Sequence, residues 1–147
     1  MTALKALILV GIPGSGKSTL LKSEFPTAQI FSADLFPGIY GDGSFHPELL
    51  PQAHQASLRG YIEALQSKAP LVACDNTNTT TAEIAPYVAT AQAYGYSVEI
   101  VFVECDPVLG HARNIHGVPL KACQAMADRI KTLQEQIPPW WPSRKIG

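Results

Sequence analysis

Only 16% of the 147 residues are charged and the formal net charge is −1, so no overall basic excess marks a nucleic-acid binder. Cysteine is scarce. Cys74, Cys105 and Cys123 form no CxxC pair, and His46, His54, His111 and His116 complete no zinc spacing with them. The three thiols are expected to be reduced and mostly buried, in a cytoplasmic protein. No apolar run approaches the roughly 20 residues that span a membrane. The N-terminal "ALKALILV" lacks a cleavage-site pattern and runs straight into a glycine loop, which argues against a signal peptide. There is no internal repeat, low-complexity tract or linker, so one domain over residues 1–147 is expected.

Hydrophobic residues make up 46% of the chain, enough for a buried core. The charge is unevenly placed: residues 1–104 carry 5 basic and 9 acidic side chains, residues 105–147 carry 6 and 3. The C-terminal third is therefore the place to look for groups that hold an anionic ligand.

Periodicity predicts strands and helices in alternation. "KALILVG" (5–11) is a continuous apolar run, as in a strand buried on both faces of a parallel sheet. A helix from Lys17 to about Glu24 follows and ends before Pro26. "AQIFSAD" (28–34) reads as a second strand, "FPGIYGDGSFHP" (36–47) as loop, and about Pro47 to Ser67 as a long helix. "PLVACDNTN" (70–78) is a third strand opening into a polar turn. Thr80 and Glu83 have capping-box spacing for the next helix, to about Tyr94, although Pro86 blurs its start. "YSVEIVFVEC" (96–105) is the fourth strand. Asp106 and Pro107 open a helix, Gly117 breaks the chain, and Leu120, Cys123, Met126, Ile130, Leu133 and Ile137 form the apolar stripe of a last helix. The tail "PPWWPSRKIG" reads as irregular, either covering apolar surface or clamping a base. This order predicts an α/β domain with a parallel sheet covered on both faces. Ligands are expected at the carboxyl ends of the strands, where the glycine loop, Asp34, Asp75 and Glu104 should converge.

"GIPGSGKS" (11–18) matches G-x-x-x-x-G-K-[ST]. A random chain of this length shows that string in about 0.5% of cases at average residue usage, and here it also sits between a strand and a helix. Glycines let the backbone N–H groups turn inward around phosphate oxygens. The helix beginning at Lys17 adds its positive dipole end. The motif predicts a nucleoside triphosphate with magnesium. Gly11, Pro13, Gly14, Ser15, Gly16, Lys17, Ser18 and Thr19 should form the cradle, with Lys17 on the β/γ oxygens and Ser18 on the metal.

The GTPase strings N-K-x-D and D-x-x-G are both missing. A motor normally needs more chain. A kinase needs a group that activates a hydroxyl and cations that cover the transferred phosphoryl, and both are present. Asp34 can accept a hydroxyl proton, or it could cap the following turn. Asp75 can hold magnesium, or it could bond within "DNTN". Asn76, Thr77 and Asn78 are turn formers or acceptor contacts. "HARNIHG" offers Arg113 and His116 as a basic lid at about 111–118. Arg129 suits either an ion pair or a phosphate contact.

"GIPGSGKSTL", "SADLF", "DNTN" and "ARNIHGV", together with "GDGSFHPELLPQAHQ" before the long helix, resemble the P-loop 5′-hydroxyl polynucleotide kinases. Among these the chain is most similar to the kinase-like domain of the Nedd4-binding proteins, within the wider zeta-toxin-like and AAA-like small P-loop kinases. The resemblance implies a three-layer α/β/α P-loop kinase fold with a four- to five-stranded, mainly parallel sheet. It implies Asp34 as general base on a nucleic acid's 5′-hydroxyl, Arg113 as the lid arginine on the donor phosphates, and ATP and magnesium as cofactors. Two positions depart from the pattern. The phage-type kinases carry an arginine three residues beyond the base to grip the acceptor's phosphate, and Pro37 stands there. Their second lid arginine is matched only by His116. A small-molecule acceptor such as a nucleoside or sugar, and an ATP-binding regulatory module without acceptor chemistry, remain as alternatives to the nucleic-acid acceptor.

Overall fold

The computed structural model describes residues 3–147. Five strands, β1 (Lys5–Val10), β2 (Gln29–Phe31), β3 (Leu71–Asp75), β4 (Ser97–Val103) and β5 (Ser143–Ile146), form one sheet in the order β2-β3-β1-β4-β5. Every pairing is parallel. The helices are α1 (Lys17–Glu24), α2 (Leu50–Gln66), α3 (Thr81–Ala93), α4 (Pro107–Arg113) and α5 (Leu120–Gln136).

β1 is apolar from Ala6 to Val10, where both of its faces are covered. Ala6, Ile8 and Val10 point into the larger core, where Tyr61 and Leu65 of α2, Ile84 and Val88 of α3 and Leu133 of α5 meet them. Leu7 and Leu9 point the other way, onto Leu21 of α1 and Val101 and Val103 of β4. The alternation with period two along one strand thus sorts the helices into two layers. Tyrosines fill much of the larger core and find partners for their hydroxyls. Tyr61 donates to the Tyr87 carbonyl at 2.9 Å, Tyr87 pairs with Ser57 at 2.9 Å, and Tyr96 donates to the Ala69 carbonyl at 2.6 Å.

Several helix ends follow local rules visible in the sequence. Thr80 accepts from the Glu83 N–H at 3.2 Å, the expected cap of α3. Asp106 accepts from the Val108 N–H at 2.9 Å and starts α4. Pro86 sits inside α3 rather than at its start. The residue whose carbonyl loses its donor, Ala82, is exposed, so water can replace the missing bond.

Three boundaries differ from the sequence reading. β2 ends at Phe31, and Asp34 lies in a 3₁₀ turn over Ala33–Leu35 capped by Ser32, whose hydroxyl accepts from the Asp34 N–H at 3.1 Å. A second 3₁₀ turn, Pro47–Leu49, precedes α2, so that helix starts at Leu50 rather than Pro47. The tail is not irregular: Ser143–Ile146 pairs with Ile100–Val103 of β4 as the fifth strand. Trp141 ahead of it packs on the larger core, whereas Trp140 is 71% exposed. Cys74 and Cys123 are buried and Cys105 is partly exposed, all as free thiols. Burial pushes the Cys74 thiol up to about 12, so it stays protonated and packs as a small hydrophobe. No helix among the described residues is long and apolar enough to cross a membrane.

The polar turn after β3 works as a structural brace. Asn78, fully buried and at φ 53°, donates to the Leu9 carbonyl at 2.7 Å. Asn76 accepts from the Ala33 N–H at 2.9 Å, and the Thr77 carbonyl accepts from the Gly11 N–H at 3.1 Å. These bonds tie β3 to β1 and to the turn that carries Asp34. Asn78→Ala removes this buried bond to the Leu9 carbonyl, at a cost of about 0.5–1.5 kcal/mol. It also places alanine in the left-handed region, adding about 1–2 kcal/mol. Urea unfolding should show that loss as a lower midpoint with an unchanged slope.

α4 lies directly on the glycine loop. A Cβ on Gly14 would stand 2.1 Å from the Gly110 carbonyl oxygen, and a Cβ on Gly110 would stand 2.8 Å from the Pro13 carbonyl oxygen and 2.6 Å from Ile12 Cδ1. Gly110 costs α4 about 1 kcal/mol of helix propensity relative to alanine, and this close approach is its reason. Gly110→Ala must push α4 off the loop. The expected result is weaker binding of a nucleoside triphosphate, by tenfold or more in calorimetry, with a far-ultraviolet circular dichroism spectrum like that of the parent.

Candidate active site

The chain leaves the end of β1 toward β2 and β3 on one side of the sheet and later returns to β4 on the other. The crevice at that reversal is where α/β proteins hold ligands. A cleft of about 1400 Å³ opens there. It is lined by Pro13, Gly14, Ser15, Gly16, Lys17, Ser18 and Thr19 of the loop, by Asp34, Asp75 and Glu104 at or just past strand ends, and by Arg113 and His116 of the lid.

Gly16 takes φ 101°, a left-handed value open to glycine alone at no cost, and so turns the chain into α1. Gly11 has no room for a side chain, because its Cβ would stand 2.6 Å from Ser15 Oγ. That Ser15 hydroxyl is the one buried side-chain polar atom without a hydrogen-bond partner among the described residues. Buried polar atoms seldom stay unpaired, and this one belongs to a loop shaped for an anion. Lys17 Nζ donates to the Gly11 carbonyl at 2.9 Å and to the Ile12 carbonyl at 3.2 Å, using two of its three N–H donors. Burial pulls the Lys17 pKa below its ordinary value, and Asp75, Asp34 and Cys105 pull it back.

Asp75 does not bond within its own turn. Its carboxylate accepts from the Ser18 hydroxyl at 2.9 Å, bridging the end of β3 to the first turn of α1. Burial raises the Asp75 pKa, with Lys17 and the Ser18 bond opposing. A hydroxyl and a carboxylate at this separation are hard oxygen donors of the kind a divalent cation takes.

Asp34 does not cap its own turn either, since Ser32 does that. Its side chain, 54% exposed, reaches the cleft. Tyr40 donates to Asp34 Oδ1 at 3.3 Å, and His116 Nε2 stands 3.9 Å from Asp34 Oδ2. Burial first, then the nearby Asp34 charge, pushes the Tyr40 phenol up to about 12, so it remains a donor throughout the neutral range. The Tyr40 and His116 rings stack at 4.3 Å and 15°. His116 thus joins the lid to the side of the cleft that holds Asp34. Arg113 lines the same cleft from the end of α4. Asn114 closes the lid turn, donating to the His111 carbonyl at 2.8 Å and accepting from the Val118 N–H at 2.9 Å.

Arg129 stands apart. It donates to Thr79 Oγ1 at 3.2 Å in a separate groove and forms no ion pair among the described residues. The sequence reading passed over Tyr40, Phe45, Cys105, Gly110 and the Ile146–Gly147 end, all of which sit in or against the cleft. Gly110 carried a legible signal, a glycine inside a helix with no cap to make. The others had none, because aromatic and aliphatic residues in a loop or an edge strand look alike wherever they point.

The comparisons with known proteins agree with this geometry. The family model described as an AAA domain matches residues 7–131. NEDD4-binding protein 2 of Homo sapiens is 37% identical over 137 residues, 87% of this chain and 8% of that one. The chain therefore spans a small part of that relative's length. A chain of the Pnkp1/Rnl/Hen1 RNA repair complex superposes with a TM-score of 0.77 at 20% identity, over 94% of this chain and 47% of the other. Deoxyadenosine kinase from M. mycoides with bound dATP gives 0.57 at 13%, over 97% and 90%. These structural likenesses speak for the fold. The parallel five-stranded sheet, the glycine loop and the matched sequence lead to one conclusion: this chain belongs to the AAA domain family of P-loop proteins, and its fold is that of the small P-loop kinases.

Proposed function

We propose that this chain transfers the terminal phosphate of ATP to a 5′-hydroxyl of RNA or DNA, with magnesium. The observation that carries the reading is that Asp34, the loop residues Pro13–Ser18 and Arg113 face one cleft. A triphosphate on the loop would have its terminal phosphate toward an acid able to receive a hydroxyl proton. The fold likeness to a chain of an RNA repair complex supports a nucleic-acid acceptor.

In this reading the loop N–H groups, the Ser15 hydroxyl and the Lys17 ammonium hold the phosphates, and Pro13 and Thr19 shape the cradle's two ends. Ser18 and Asp75 hold a magnesium ion. The donor set fits, since magnesium takes few protein oxygens and leaves its other positions to phosphate and water. When bound, the ion neutralises phosphate oxygens as charge shifts toward the leaving group. Arg113 covers the donor phosphates from the lid, where an arginine is worth about 10³–10⁵ in rate. Asp34 orients the acceptor hydroxyl and takes its proton. The hydroxyl oxygen then bonds to the terminal phosphorus, and the bond from that phosphorus to the bridging oxygen breaks, releasing ADP. Tyr40, by donating to Asp34 Oδ1, leaves Oδ2 for the incoming proton.

A small-molecule acceptor is the second reading, favoured by Pro37 where a phosphate-gripping arginine was expected and by the likeness in fold to a deoxyadenosine kinase. The reaction step is the same. Asp34→Asn keeps the side chain's shape and removes the base. It is expected to lower kcat by about 10²–10⁴ while the ATP dissociation constant, measured by calorimetry, stays within about twofold. Full transfer by Asp34→Asn would contradict the assigned role.

A further inference from the structure

The cleft is sparing in fixed cations. Among the described residues that line it, the only ammonium and guanidinium groups are those of Lys17 and Arg113. Beyond Asp34 the wall changes character. Tyr40 is stacked on His116 at 4.3 Å, and Phe45 lies against the same tyrosine at 5.5 Å between centroids and 35° between planes. Tyr40 and Phe45 come from one loop and His116 from the segment after α4, yet the three rings form one run beside the acid. The two outer members are accessible: Phe45 is 45% exposed and the His116 side chain 33%. Leu50 and His54 of α2 continue the lining.

The run is also firmly held. His46 pins the loop between Tyr40 and Phe45, with its N–H donating to the Ile39 carbonyl at 2.9 Å and its ring bonding the Gly41 carbonyl at 3.0 Å. Ile39 is 1% exposed and anchors the loop in a small core with Ala33 and Ala53. Rigid rings beside a general base, on a wall with no ammonium or guanidinium of its own, suit a flat, uncharged group. They do not suit a phosphate, which needs guanidinium or ammonium donors. Aromatic faces accept any nucleobase, because each base has a π-face to offer.

We infer that the acceptor is recognised by its terminal nucleobase, stacked on the Tyr40–His116–Phe45 run, and not by the phosphate that follows its 5′-hydroxyl. The inference rests on the 5′-hydroxyl nucleic-acid reading and assigns the specificity-determining residues of that acceptor site. Pro37 then marks a different mode of recognition and not a defective site. A neutral first linkage should be as good as a charged one. Sequence preference should be slight, because stacking does not read hydrogen-bonding edges.

The test offers labelled ATP and matched 5′-hydroxyl oligonucleotides to the enzyme and measures kcat/KM. One oligonucleotide is unmodified, one lacks the 5′-terminal base, and one carries a methylphosphonate at the first linkage. Stacking on aromatic residues is worth about 1–3 kcal/mol per base, so the abasic acceptor should be roughly tenfold to a hundredfold poorer, with the change in KM. The methylphosphonate acceptor should stay within about threefold of the unmodified one. Tyr40→Phe keeps the ring and should keep the preference for a base, whereas Phe45→Ala and Tyr40→Leu should shrink it. An abasic acceptor as good as the unmodified one, or a methylphosphonate more than tenfold poorer, overturns the inference while leaving the kinase reading intact. No transfer to the unmodified oligonucleotide removes both.

Discussion

β1 is hydrogen-bonded along both edges, with Leu9 opposite Asp75 of β3 and Val10 opposite Phe102 of β4. The three strands run the same way, so their carboxyl ends come out on one rim. The glycine loop leaves from one end, Asp75 stands on the next, and Glu104 and Cys105 follow the third. The parallel register also lets Asn78 return across the rim to the Leu9 carbonyl and Ser18 reach the Asp75 carboxylate. Everything that faces the cleft is referenced to these three strands.

A second layer of constraint joins that rigid rim to the parts that cover it. Gly14 and Gly110 let α4 rest on the loop backbone to backbone, so the helix that bears Arg113 cannot shift without disturbing the phosphate cradle. At the far end of the lid, His116 stacks on Tyr40, and Tyr40 in turn holds Asp34. The segment from α4 to His116 therefore touches the glycine loop through a glycine contact and the Asp34 side of the cleft through an aromatic one. In the proposed reaction both ends must be in place at once. That makes proton removal and phosphate coverage parts of a single geometry.

Much of this was legible in the sequence for identifiable reasons. Continuous apolar runs revealed the strands buried on both faces, and capping residues Thr80 and Asp106 marked helix starts. The loop motif was recognisable because glycine, lysine and serine are each required there by backbone or charge. Other features were hidden. β5, with Ser143, Arg144 and Lys145 exposed, is a charged edge strand with neither an apolar run nor alternation, so its pairing with β4 left no trace. "DNTN" read equally as turn formers or acceptor contacts, and the bonds of its asparagines to Ala33 and Leu9 depend on segments far away in sequence. Polar residues in a turn look the same whether they meet backbone or ligand. Tyr40 and Phe45 were invisible as site residues for the same kind of reason: their place beside Asp34 depends on how a twelve-residue loop folds back, which no local rule fixes.

The central claim is that the phosphate leaving this loop goes to a nucleic-acid hydroxyl. Its most direct test is to offer ATP labelled in the terminal phosphate to one mixture of 5′-hydroxyl oligonucleotides and small metabolites, and to map the label. The account predicts label on the oligonucleotides' 5′ ends, dependent on magnesium. Label found only on a small molecule, or only as inorganic phosphate, would contradict it.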